Sequence, residues 1–167
     1  MREAIPEVLE PLRNALLTHA AAEADSIWNY EWIVDRCPDA QVVLLMKFIL
    51  EDERRHHSLF LQLAGDSSPS VPSVEPPGLK SANPAPLTES QTAGLLSEAA
   101  EEEHSSARAF QRMARKHKTV GDGLLSLFLE LIATDCRKHE RLLRYAAERL
   151  QRAGGSGERS STVKTPG

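Results

Sequence analysis

Apolar residues recur at steps of three and four along four long stretches of this chain. Leu12, Leu16, Ala20, Ile27, Tyr30 and Val34 share one line, which predicts a first helix from Pro6 or Pro11 to Val34. Asp35-Arg36-Cys37-Pro38 reads as a tight connection, and Pro38 suits the first turn of a second helix. That helix runs to Ala64, with Gly65 as its stop. Thr88 opens a third helix, with Gln91 three positions on in the manner of a capping box. It continues to about Lys118. Thr119 to Gly123 forms a second short turn, and a fourth helix runs to about Ala153, before Gly154 and Gly155.

The segment between helices 2 and 3 breaks this pattern. Residues 65–88 hold six of the ten prolines and five serines, which forbids a helix and favours extended chain. At about 3.1 Å per residue it can travel the whole length of a bundle and start helix 3 at the end where helix 2 began. A tether between two helical hairpins is the alternative. The expected organisation is one all-α domain over residues 1–153, a four-helix bundle with a long crossover at 65–88. A disordered tail, poor in apolar residues, follows at 154–167.

Composition narrows the picture. A chain of 167 residues fits one domain, and 26% charged against 41% hydrophobic residues fits a soluble globular protein. Aromatics make up only 5%, so the core is aliphatic and suits packed helices. With 20 basic against 24 acidic residues the net charge is −4, which gives no electrostatic case for nucleic acid or an anionic membrane. The most apolar run, Val42 to Leu50, is interrupted by Lys47 and falls far short of the roughly 20 residues of a membrane span. Cys37 and Cys136 are too far apart in sequence for a zinc ribbon or a four-cysteine iron centre. A reducing, cytoplasmic setting is the expectation.

The informative residues are polar ones on apolar lines. On helix 1, Leu16, Ala20, Ile27 and Tyr30 pass through Glu23. On helix 2, Val42, Met46, Ile49, Phe60 and Leu63 pass through Glu53 and His56. On helix 3, Leu96, Ala99, Ser106, Phe110 and Met113 pass through Glu103, although Glu102 in the same acidic run is an alternative. On helix 4, Leu125, Phe128, Ile132 and Leu142 pass through Asp135 and His139. A carboxylate in a dry core must protonate, pair or meet a cation. Four carboxylates and two neutral imidazoles balance two divalent ions and supply oxygen and nitrogen ligands suited to iron or manganese. A Glu and a His three apart sit one turn apart on one face, so both reach one ion.

The chain also carries a weak internal repeat. EDERRHHSLF (51–60) echoes TDCRKHERLL (134–143), and each is preceded by a helix with an inward carboxylate. The Glu53/His56 pair within EDERRHH, with Glu23 on the preceding helix, resembles the rubrerythrin-type branch of the ferritin-like superfamily. The resemblance covers about Pro11 to Leu150. It implies a four-helix bundle with a crossover between helices 2 and 3 and a site for two irons or manganeses. It also implies Glu23, Glu53, His56, Glu103 and His139 as ligands. Helix 4 departs from the family pattern: Cys136 stands where a second Glu is expected, and Asp135 lies four rather than three residues before His139.

What the resemblance implies is a non-haem di-iron, or di-manganese, oxidoreductase acting on dioxygen, peroxide or ferrous iron. No rubredoxin-like four-cysteine set is present, so turnover calls for an external electron donor. The competing expectation is a non-catalytic bundle whose metal site has degenerated, serving as a dimerisation or partner-binding module. Trp28 and Trp32, four apart and off the Glu23 face, suit a helix–helix contact or the interface of a homodimer.

Overall fold

The computed structural model describes residues 10–65 and 85–157, the last four as backbone only. Four α-helices account for most of them: α1 (Glu10–Val34), α2 (Ala40–Leu63), α3 (Glu89–Lys116) and α4 (Leu124–Gly157). There is no strand among the described residues. The all-α class is therefore the observed one. Most of the proline-rich stretch, and everything after Gly157, lies outside the described residues.

Local chemistry sets the helix ends. Pro38 lies outside α2, and Asp39 takes the capping role: its Oδ1 accepts from the amides of Gln41 (2.8 Å) and Val42 (3.1 Å). Gly65 closes α2 with φ 73°, a left-handed conformation that a glycine adopts without strain. At α3 the capping box is complete, with Thr88 Oγ1 accepting from the Gln91 amide and Gln91 Oε1 accepting from the Thr88 amide. Between α3 and α4 a 3₁₀ turn, Val120–Gly123, holds Gly121, Asp122 and Gly123 at positive φ. α4 runs through Gly154 and Gly155, beyond the end expected at Ala153, because glycine lowers helix propensity without forbidding a last turn.

The chain divides into two units. The first contains α1 and α2 from Lys47 onward; the second contains residues 36–46, α3 and α4. In the first, α1 buries Leu12, Leu16, Ala20, Ile27, Tyr30 and Ile33, with Ile33 rather than Val34 ending the line. α2 contributes Ile49, Leu50 and Phe60, and Ala64, just past its end, is buried in place of the expected Leu63. Arg13 Nε donates to the Ala64 carbonyl (3.1 Å), Arg54 pairs with Glu31 (2.6 Å), and His19 stacks on Phe60.

In the second unit α3 presents alanines, Ala93, Ala99, Ala100, Ala107 and Ala114, around Leu96 and Phe110. α4 answers with Leu125, Leu129, Ile132, Ala133, Leu143, Ala146, Ala147 and Leu150. Small residues on both sides permit close helix approach, and the polar rim reinforces it. Ser126 Oγ donates to the Ala114 carbonyl (3.1 Å), and Arg144 binds Glu101 (2.8 Å) and Glu140 (3.1 Å). The buried lines of α3 and α4 are rotated from the expected ones: Ser106, Met113, Phe128 and Leu142 are only half-buried.

Candidate metal centre

In the first unit three donors meet. One ligand atom each from Glu23, Glu53 and His56 all lie within 4.8 Å of one another. Their exposures are 8%, 2% and 3%. Glu23 reaches this point because it sits on the buried line of α1, between Ala20 and Ile27. Glu53 and His56 are there because a three-residue step on α2 stacks them on one face.

The donor chemistry fits a divalent cation. Ligands at about 2.1 Å from one ion stand about 3–4 Å apart, so small side-chain shifts close this set onto it. Two carboxylates neutralise a 2+ ion, and one imidazole adds a nitrogen, a combination suited to iron, manganese or zinc. Removing such carboxylates from water with nothing to meet them would be costly.

In the second unit, Glu103 Oε1 lies 3.5 Å from His139 Nδ1, with side-chain exposures of 7% and 0%. Glu103 is the inward member of its acidic run; Glu101 and Glu102 are exposed. Four of the six expected donors thus lie on buried helix faces as carboxylates or imidazoles of these two sets, and His139 makes the fifth. The sixth is elsewhere. Asp135 accepts from Lys138 Nζ at 2.7 Å, has a side chain 32% exposed, and belongs to neither donor set.

The physical reason is angular. The core face of α4 runs through Leu129, Ile132, Cys136, His139 and Leu143, whereas Asp135 lies on the rim with Phe128 and Leu142. Cys136 holds the inward position at 1% exposure, but its sulfur is not part of either donor group.

Two buried titratable residues, Asp52 and His57, were not singled out as inward from the sequence. Asp52 is 5% exposed and pairs with Arg55 one turn on. His57 is 3% exposed, with Nδ1 2.7 Å from the Ala20 carbonyl. The signal was present: 52, 53, 56 and 57 form a double line one turn apart, the mark of a face wider than a single row. His104 is a rim residue bound to Glu140 (3.1 Å), and His19 is half-buried, where desolvation pushes its imidazole below the ordinary histidine range.

Comparison with protein-family models, with curated proteins and with solved structures finds no match to this chain.

Proposed function

We propose that this chain is a ferritin-like protein of the rubrerythrin type that holds two non-haem ions, iron or manganese, and acts as an oxidoreductase on dioxygen, peroxide or ferrous iron. The observation that carries the proposal is the buried convergence of Glu23, Glu53 and His56 within 4.8 Å. Those three hold one ion, and Glu103 with His139 supply the donors for the other. When bound, iron contributes Lewis acidity and one-electron redox capacity. The residues contribute charge balance and seclusion. Glu23 and Glu53 neutralise the ion, while Ala20, Ile27 and Ile49 on the same buried faces keep bulk water away. Reducing equivalents come from an external electron donor.

The test is anaerobic loading of apo-protein with ferrous iron, then exposure to oxygen or peroxide. Ferrous iron should disappear at least about tenfold faster than in buffer, and Glu53→Ala should return the rate to the buffer value. Equal rates for wild type and buffer would contradict the proposal.

A second reading has its own support. The Asp135–Lys138 pair and Cys136 at the core position favour a degenerate site in a non-catalytic bundle. Leu124, Leu127 and Leu131, each about half exposed along one side of α4, give such a bundle an apolar stripe for a second copy or another partner. Metal content distinguishes the two: an iron-grown protein with no bound iron is the second.

A further inference from the structure

We infer that His57 is a positioning residue that fixes the height of α1 against α2, so that Glu23 stands within reach of Glu53 and His56. The inference rests on the metal-binding reading and deepens it.

The geometry is specific. The His57 ring has Nδ1 2.7 Å from the Ala20 carbonyl oxygen. A carbonyl only accepts, so Nδ1 carries the hydrogen and donates it. Ala20 is three residues before Glu23, on the same buried line, so the bonded carbonyl sits one turn below the ligand. His57 is the immediate neighbour of His56. One peptide of α2 thus carries both a donor of the site and the anchor that locates the opposite helix.

Beside this bond His19, next to Ala20, stacks on Phe60; the directed ties between the two helices that are described lie further away. Arg54–Glu31 is two turns beyond Glu23, with both side chains about half exposed, and Arg13 bonds Ala64 well before it. The His57 bond is buried, where losing it would strand a polar ring in the core. Ligand sets tolerate displacements of only about 0.5 Å, so a slip of α1 by a fraction of a turn would take Glu23 out of range.

The test uses Co(II), which binds oxygen and nitrogen donors without redox change, titrated into full-length apo-protein and followed by its visible absorption. Asparagine places its side-chain amide where Nδ1 stands; glutamine reaches the Nε2 position instead. His57→Asn should therefore bind Co(II) within about threefold of wild type, while His57→Gln and His57→Leu should bind at least about tenfold more weakly. Melting of the apo-proteins checks folding, and if the leucine variant does not fold, the asparagine–glutamine contrast decides alone. A gap of less than about threefold between asparagine and glutamine overturns the positioning role. A wild type that binds no Co(II) removes the metal reading itself and the positioning role with it, a result readily told apart from a flat His57 series.

Discussion

Lys138 holds the carboxylate of Asp135 at 2.7 Å, one turn away on the same helix. That pair explains how an acidic residue flanked by apolar positions can miss the interior. Asp135 is rotated about 100° from Cys136, the residue on the true core line, and finds its counter-charge at the rim. Asp135→Asn should accordingly leave metal affinity within about twofold of wild type. A partly exposed pair contributes little, so the stability loss should be about 0.5 kcal/mol. Metal titration and urea unfolding check both. A tenfold loss of affinity would return Asp135 to the ligand set.

The start of α2 depends on one side chain with two tasks. Asp39 Oδ1 caps the helix, and Oδ2 accepts from Arg149 Nε on α4 at 2.9 Å. Burial pushes this carboxyl up, but the Val42 and Gln41 amides and the Arg149 guanidinium together bring it below the ordinary range. Asp39→Ala should destabilise the protein by about 1–2 kcal/mol. Asp39→Asn should cost less, because the amide oxygen still caps. Equal losses for the two would show that the charge on Arg149, not the cap, dominates.

The helix count, the capping box at Thr88 and the inward Glu23, Glu53, His56, Glu103 and His139 could all be read from the sequence, because helical periodicity and burial act on each residue separately. What escaped was finer than one step of rotation. A line through Phe128, Ile132, Asp135, His139 and Leu142 and one through Leu129, Ile132, Cys136, His139 and Leu143 share two members, and only packing against α3 chooses between them. The alanines of α3 are equally quiet in sequence, since alanine fits a core or a surface. His57 escaped for a related reason: its partner is a backbone carbonyl, and Ala20 bears no side-chain signal of that bond.

Histidine 19 provides a pH handle separate from the donor sets. Desolvation lowers its pKa in the folded protein, so the unfolded chain binds the proton more readily. Its effect on stability is therefore absent well above the unfolded pKa of about 6.5 and grows as a penalty as pH falls below it. In chelator, wild type should lose stability between about pH 7.5 and about pH 5.5 more steeply than His19→Gln. Other buried histidines act on both proteins and cancel in the comparison. Parallel stability curves would show that His19 titrates alike in both states.

The central claim is that buried carboxylates and imidazoles exist here to hold metal, and stoichiometry measures it most directly. Protein purified from iron-supplemented cells, with bound metal counted per chain, should carry close to two irons, and Glu53→Ala should carry about one fewer while remaining helical. Wild type without bound metal, with melting unchanged by added ferrous iron or manganese, would contradict the account.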